Sequence, residues 1–283
     1  MQSIDIMAHA KINLTLDVLA RRTDGYHEVE MVMQLIDLHD NIKITRGGTD
    51  IKVSGDSGEI PLNKENIVYK AAIALFNAVG SNEGCHINIT KKIPVAAGLA
   101  GGSADAAATL VGLNQLMNLG QSQRQLMEVG AKVGSDVPFC IIGGTALAIG
   151  RGEKVKPLPG LPKLWLVLAK PDIGVSTAMI YKNFDAKKAY IRPNTSAIIE
   201  ALEQKNIKQI KKNMVNVLES VTLPMHPEVK NIKENMCKLG LKYPLMSGSG
   251  PTVFSFVDSE EQARYVAKRL QQNNSVVIVT HTA

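Results

Sequence analysis

Three glycines, Gly98, Gly101 and Gly102, fall close together, and Ser103 follows them directly. The chemistry such a run can do is anion binding. Glycine backbone reaches φ > 0 and can lie close against a ligand. The first N–H groups of a following helix lack internal partners, and the helix dipole adds partial positive charge there. A phosphate group fits that arrangement; a tight turn that only packs is the plainer alternative. Two phosphate motifs are excluded. A P-loop ends in Gly-Lys-Ser/Thr, whereas Gly102 is followed by Ser103-Ala104. A dinucleotide fingerprint opens the first βαβ unit, whereas this run begins only at Gly98.

Other residues have chemistry to offer. Lys11 and Asn13 share the polar side of a strand-like alternation with Thr15 and Asp17. An ammonium and an amide side by side suit a polyanion or a hydroxyl, but the same pattern describes an ordinary solvent-facing strand. Asp24-Gly25 is a hairpin-turn signal, and Tyr26-His27 after it pairs a flat aromatic surface with an imidazole, a combination suited to a planar base. Asp136 lies in Gly134-Ser135-Asp136-Val137-Pro138. A turn aspartate most often bonds locally, and it can also serve as a base.

Periodicity places the elements that must position these residues. Ile4 to Ile6 and Ala8 to Val18 read as strands, the second with Ala8, Ala10, Ile12, Leu14, Leu16 and Val18 on one face. Ile42 to Ile44 and Ile51 to Val53 flank Gly47-Gly48 and predict a second hairpin. Asn66 to Val79 predicts a helix stopped by Gly80, with Ile67, Ala71, Ala74, Leu75 and Val79 inward. Cys85 to Thr90 is a strand, Ala104 to Leu119 a helix, and Ser122 to Val133 a second amphipathic helix. Asp136 is then expected on a loop that Pro138 keeps from becoming helical. Pro157, Pro159, Gly160 and Pro162 mark a boundary between two lobes. Beyond it come a buried strand at Leu164 to Ala169, helices at Thr195 to Lys212 and Pro227 to Leu239, and the glycine turn Met246 to Pro251 opening a strand. A helix from Glu260 to Gln272 and a strand from Val276 to Thr280 close the chain, which suggests an α+β lobe with helices on one face of an antiparallel sheet.

Whole-chain properties bound the function. With 283 residues the chain can bury a full core, and 45% apolar with 20% charged residues is ordinary for a globular protein. A net charge of +6 suits anionic substrates but is too dispersed to argue for nucleic acid. Lys205, Lys208, Lys211 and Lys212 read as a solvated helix face. The apolar run Phe139 to Ile149 is too short to span a bilayer. With no basic-then-apolar leader, a cytoplasmic location is expected and no membrane partner. Cys85, Cys140 and Cys237 are expected to be small buried hydrophobes without a disulfide framework. The six histidines show no paired ligand spacing, so no structural metal is expected.

The loop from Pro94 to Ser103 resembles the second motif of the GHMP kinases, the superfamily of galactokinase and the homoserine, mevalonate and phosphomevalonate kinases. Pro94, Gly98, Leu99, Gly101 and Ser103 sit in register with it. The early strand and the late glycine turn at Ser247 to Pro251 match in order. Within the superfamily, Ala10 to Leu14, Asp24 to His27 and Gly134 to Phe139 are similar to the branch that phosphorylates a cytidine diphosphate-linked methylerythritol.

The resemblance implies an α+β, two-lobed GHMP kinase fold. It comprises a β-rich α/β lobe over 1–155, a ferredoxin-like α+β lobe over 156–283, and an active site in the cleft between. It also implies transfer of the ATP γ-phosphoryl group to a hydroxyl of that small molecule, with Asp136 as base and Lys11 as its partner. Pro94, Val95, Ala96, Ala97, Gly98, Leu99, Ala100, Gly101, Gly102, Ser103 and Ala104 would wrap the triphosphate. Mg²⁺ would be held largely by ATP and water, with Ser103 nearby. Tyr26, His27 and Tyr181 would form a cytosine pocket and Asn13 would adjoin the substrate. Ala100 and Ala104 depart from the commonest pattern of glycine and serine, Tyr181 stands where some relatives have Phe, and Asp105 adds charge beside the phosphate site. Kinases for phosphomevalonate or homoserine, and a ligand sensor without turnover, are the alternatives.

Overall fold

The computed structural model describes residues 2–185, 191–271 and 275–283. The chain opens with two long antiparallel strands, β1 (Ser3–Arg21) and β2 (His27–Arg46), joined by the turn at Asp24-Gly25. The two expected N-terminal strands are one. Bulges between His9 and Lys11, Asn13 and Thr15, and Val18 and Ala20 interrupt its alternation and re-aim side chains. Lys11, Asn13, Thr15 and Asp17 are buried, as are Ala8, Ala10, Ile12, Leu14, Leu16 and Val18 around them: β1 is covered on both faces, which overturns the solvent-facing alternative. Each of the four polar side chains has a partner: Thr15 Oγ1 accepts from the Val32 amide at 3.0 Å, and Asp17 pairs with Arg192 at 2.6 Å.

After β3 (Ile51–Gly55) come α1 (Ile67–Val79), β4 (Cys85–Thr90), α2 (Gly101–Leu116), α3 (Gln123–Val133), α4 (Val137–Ile142), β5 (Thr145–Gly150) and β6 (Lys154–Pro157). The expected hairpin around Gly47-Gly48 does not form. β4 inserts between β2 and β3, and β3 runs parallel to it. The Gly47 amide donates to Gly84 O and the Gly84 amide to Gly48 O, so the two glycines turn toward the later strand. Among the described residues the first sheet has seven strands in the order β3-β4-β2-β1-β8, with β5 on β2 and β6 on β5, the last in line, β8 (Val215–Asn216), coming from later in the chain. Ile12, Leu14, Ile42, Ile44, Ile87 and Ile89 form its inner face against Leu75, Phe76, Leu110 and Leu113 of the helices. Each such side chain contributes about 1.5–3 kcal/mol.

The helix ends follow local rules. Asn66 caps α1 by accepting from the Val68 amide, and Gly80 stops it in the left-handed region at φ 67. Its buried stripe is Val68, Ala71, Ala72, Leu75 and Phe76, one position along from the expected one at Ile67. Ser122 and Gln125 form a full capping box on α3. Pro138 does not end helical structure; it sits in the first turn of α4, where its missing N–H has no carbonyl to serve.

The second sheet starts at β7 (Trp165–Pro171) and continues through β9 (Leu245–Met246), β10 (Val253–Phe256) and β11 (Ser275–His281). Its order β11-β7-β10-β9, antiparallel throughout, is that of a ferredoxin-like β-α-β-β-α-β unit. Between β7 and β9 lie α5 (Thr177–Asn183), α6 (Thr195–Glu203), α7 (Ile207–Asn213), β8 (Val215–Asn216), α8 (Glu219–Met225) and α9 (Pro227–Lys238); α10 (Glu260–Leu270) precedes β11. The single helix expected over 195–212 is two, because Lys205 turns to φ 52 and Asn206 caps a new start. Lys211 is not simply solvated: it pairs with Asp258 at 3.8 Å and lies over the Phe256 ring. Gln272, the expected end of α10, lies outside the described residues. Cys85 is buried and Cys140 half-buried, but Cys237 is exposed on α9, contrary to expectation. Among the described residues no helix is long and apolar enough to cross a membrane.

Candidate active site

The glycine run forms a cradle that opens into a cleft of about 1340 Å³. Its last turn is α2, whose first residues Gly101, Gly102 and Ser103 line the cleft with their amide ends. Ala96 (φ 51) and Ala100 (φ 57) are both left-handed, a conformation that costs an alanine about 1–2 kcal/mol. Strain is thus stored in the cradle itself. Gly98 (φ 75) is held tighter still: a Cβ there would overlap Ser247 O and stand 2.9 Å from Gly250 O. The late turn therefore seats against the bare backbone of the cradle. Ser247 Oγ donates to Gly98 O at 3.0 Å, and the buried Asn216 amide donates to Met246 O and Gly248 O at 2.8 and 2.7 Å.

Beside this seat Lys11 and Asp136 converge. Lys11 comes from the bulged part of β1 and Asp136 from the junction of α3 and α4. Lys11 Nζ donates to Asn13 Oδ1 at 2.7 Å and Gly98 O at 3.2 Å, and stands 3.5 Å from Asp136 Oδ2. An ammonium has three N–H groups, and two are committed to neutral oxygens. The third faces a carboxylate at a separation too long for a good hydrogen bond. Both charged groups therefore keep capacity for a hydroxyl oxygen placed between them. The burial is unequal, with the Lys11 side chain 5% exposed and Asp136 26%.

Tyr26, His27 and Tyr181 also line the cleft. The His27 and Tyr181 rings are tilted together with centroids 5.4 Å apart, and the Arg151 guanidinium lies 4.9 Å over the Tyr26 ring. Burial, aided by the Arg21 charge, lowers the His27 pKa, so the imidazole is neutral at pH 7 with one donor and one acceptor. Burial, with Asp136 adding to it, raises the Tyr181 hydroxyl far above its ordinary value. α5 carries Tyr181, and Thr177 on its first turn bonds Ser249 of the late turn at 2.9 Å.

Beneath the cradle lies a buried cluster. Lys91 Nζ reaches Asp40 Oδ2 at 2.5 Å and Asp105 Oδ2 at 2.8 Å. Burial alone would lower the Lys91 pKa, but the two carboxylates outweigh it and raise it. Burial raises the Asp105 carboxyl, opposed by Lys91 and reinforced by Asp40. Asp40 Oδ1 also takes the amides of Lys92 and Ile93 at 2.5 and 2.8 Å, fixing the chain where it enters the cradle.

Most of the sequence candidates meet in this cleft: Lys11, Asp136, Tyr26, His27, Tyr181 and the loop residues Pro94, Val95, Ala96, Ala97, Gly98, Ala100, Gly101, Gly102 and Ser103. Leu99 and Ala104 instead point into the core, and Asn13 is fully buried behind Lys11, bonded to its amine and to Met31 Sδ. Lys91 and Arg151 had no sequence signal beyond proximity to a motif. Their partners, Asp40 and Tyr26, are distant in the chain.

A two-lobed fold, a glycine cradle at a helix start and a Lys–Asp pair at its end define a GHMP kinase. Residues 66–144 match the model for the GHMP kinases N terminal domain, and residues 198–276 the model for the GHMP kinases C terminal region. The 4-diphosphocytidyl-2-C-methyl-D-erythritol kinase of Acetivibrio thermocellus is 46% identical over 282 residues, covering 100% of both chains. That of Bacillus subtilis is 50% identical over 265 residues, covering 93% of this chain and 91% of its own. A crystal structure of 4-(cytidine 5'-diphospho)-2C-methyl-D-erythritol kinase superposes with a TM-score of 0.82 at 31% identity, covering 99% of each chain. Homoserine kinase from Cytophaga hutchinsonii shares the fold, with a TM-score of 0.80 at 20% identity over 100% of this chain and 95% of its own. The chain belongs to the 4-diphosphocytidyl-2-C-methyl-D-erythritol kinase family of these ATP-dependent small-molecule kinases.

Proposed function

We propose that this chain transfers the γ-phosphoryl group of ATP to the 2-hydroxyl of 4-diphosphocytidyl-2-C-methyl-D-erythritol, in the non-mevalonate route to isoprenoid precursors. The observation that carries the reading is the approach of Lys11 and Asp136 to 3.5 Å beside the glycine cradle. Phosphoryl transfer asks a protein mainly to position groups and stabilise charge. Asp136, partly exposed at the cleft wall, accepts the hydroxyl proton as the oxygen attacks phosphorus. Lys11 stays cationic and stabilises the developing alkoxide. Its two neutral acceptors fix the amine without quenching its charge, and Asn13 acts on the substrate through Lys11.

The first-turn amides of α2 and the cradle from Pro94 to Ser103 hold the phosphates of ATP. Tyr181 and Tyr26 supply flat faces for the cytosine ring, and neutral His27 reads its polar edge. Arg151, on the cleft wall over Tyr26, supplies a cation for the diphosphate of the same substrate.

Mg²⁺, which this reaction class implies, fits the oxygen donors present. Asp105 Oδ1 is buried with no hydrogen-bond partner among the described residues, and Asp105 and Ser103 both line the cleft. These two would hold the ion together with phosphate oxygens and water. Bound, it neutralises charge on the transferring phosphoryl group. The reading divides the chain into lobes at 155/156; the change of sheet comes just beyond it, after β6 ends at Pro157, and β8 of the second segment returns to pair with β1 of the first sheet. It places the work in the cytoplasm, where ATP is supplied.

The test is ATP turnover with the cytidyl substrate, phosphomevalonate and homoserine in parallel. Phosphate transfer to the cytidyl substrate alone is expected. Transfer only to one of the others, or binding of both ligands without ADP release, overturns the reading.

A further inference from the structure

We infer that His9, His39 and Asp37 form a binding site for a divalent cation of the zinc class, at the seam between the two sheets. His9 and His39 are directly opposed in the β1–β2 ladder, and their ring centroids are 5.1 Å apart. One ligand atom from each histidine and a carboxylate oxygen of Asp37 all lie within 4.8 Å of one another. Bonds of roughly 2.0–2.2 Å to a tetrahedral ion bring such atoms closer than that. Asp37, with its side chain 50% exposed, is free to close the remaining gap.

The surrounding hydrogen bonds set the imidazoles for this role. His9 Nδ1 faces Ile36 O at 3.2 Å and His39 Nδ1 faces Asp37 O at 2.6 Å. A carbonyl only accepts, so each Nδ1 carries the proton and each Nε2 keeps its lone pair. Histidine ligands in metal sites are oriented by this kind of outer bond. Asp37 Oδ2 lies 3.5 Å from His281 Nε2, and His281 Nδ1 bonds Thr282 O at 2.9 Å, so the neutral His281 ring donates nothing to Asp37 and leaves it able to move toward the ion.

Two imidazoles and a single carboxylate suit zinc and its neighbours rather than Mg²⁺ or Ca²⁺, which take oxygen. The position is structural. His281 ends β11 of the second sheet, and β2 of the first sheet meets the same segment through the Ile36–Thr282 bridge and the bond from the Leu38 amide to Thr280 Oγ1 at 3.0 Å. A bound ion would link the two strands of the first sheet to each other, and through Asp37 to the last strand of the second. The described wall of the catalytic cleft includes none of the four residues, so the site is independent of phosphoryl transfer.

The experiment is calorimetric titration of the tag-free full chain, stripped with chelator, with Zn²⁺ alone, and with Co²⁺ to read the visible bands of a low-coordinate nitrogen site. One ion per chain is expected. His9→Ala and His39→Ala should each weaken binding at least about tenfold. His86→Ala, an exposed histidine on β4, should change nothing. If either alanine variant at His9 or His39 misfolds by circular dichroism, Asp37→Asn at an exposed position must show the same loss. Absence of stoichiometric Zn²⁺ binding, or binding that survives in the His9, His39 and Asp37 variants, overturns the inference.

Discussion

Lys11→Met and Asp136→Asn remove opposite halves of one ion pair, yet their consequences should differ in kind. The methionine is nearly isosteric but donates nothing. Asn13 Oδ1, fully buried, loses its donor, and its Nδ2 is already engaged with Met31 Sδ. Gly98 O keeps the Ser247 hydroxyl, and Asp136, 26% exposed, rehydrates. One orphaned buried acceptor therefore sets the stability loss, about 1–3 kcal/mol. In a thermal melt this is a drop of roughly 2–4 °C per kcal/mol for chains of 150–250 residues. Asp136→Asn takes the carboxylate away from the buried Lys11 ammonium, which keeps Asn13 Oδ1 and Gly98 O as acceptors; with one partner partly exposed the pair contributes about 0–1 kcal/mol, so the melting temperature should fall by no more than about 4 °C. In turnover both should fail. Loss of a general base lowers kcat by about 10²–10⁴, while ATP affinity in Asp136→Asn is retained. Equal melting temperatures for the two variants, or an Asp136→Asn enzyme with normal kcat, would refute the reasoning.

Other perturbations probe the surrounding structure. Gly98→Ala should destabilise by about 2–5 kcal/mol, the sum of left-handed strain and overpacking against the late turn. Gly102→Ala has its nearest neighbour at 3.6 Å and should melt normally while raising KM for ATP; similar melting of both variants sinks the idea. Lys91→Met leaves Asp40 and Asp105 buried without their cation and should cost about 3–5 kcal/mol, with partial recovery when Asp105→Asn is added. No recovery in the double variant counts against the cluster as drawn. His27→Ala should raise KM for the cytidyl substrate far more than for ATP. Because burial keeps His27 neutral below its ordinary 6.5, wild-type KM for that substrate should hold steady as pH falls through 6.5 and rise only below it. A rise beginning above 6.5 would contradict the neutral imidazole.

Sequence legibility tracked how local each determinant is. The caps at Asn66, Gly80 and Ser122 act within one turn, and the helix limits there were placed within a residue or two. Gly47-Gly48 looked like a hairpin because turn chemistry is local, but the strand that β2 pairs with is chosen by burial of Ile87 and Ile89, far along the chain. Likewise Lys205 gives no composition signal for the break between α6 and α7. For the site, the cradle and Asp136 were visible as motifs. The burial of Lys11 and Asn13 was not, because what covers that face of β1, Gly98 of the cradle and Met31 of β2, arrives from other parts of the chain. Lys91 with Asp40, and His9 with His39, are joined only by folding, so spacing in the chain carries no trace of them.

Gly98 meets Ser247 and Gly250 through main-chain atoms on both sides. Apart from the Ser247 hydroxyl on Gly98 O and the Asn216 amide that holds the turn, the joint is made of main-chain atoms, so most flanking side chains can drift without moving the cradle relative to the opposite half. It also leaves little slack. α5, which carries Tyr181, is tied to the same joint by the Thr177–Ser249 hydroxyl contact, so the aromatic wall of the cleft and the glycine cradle share one anchor.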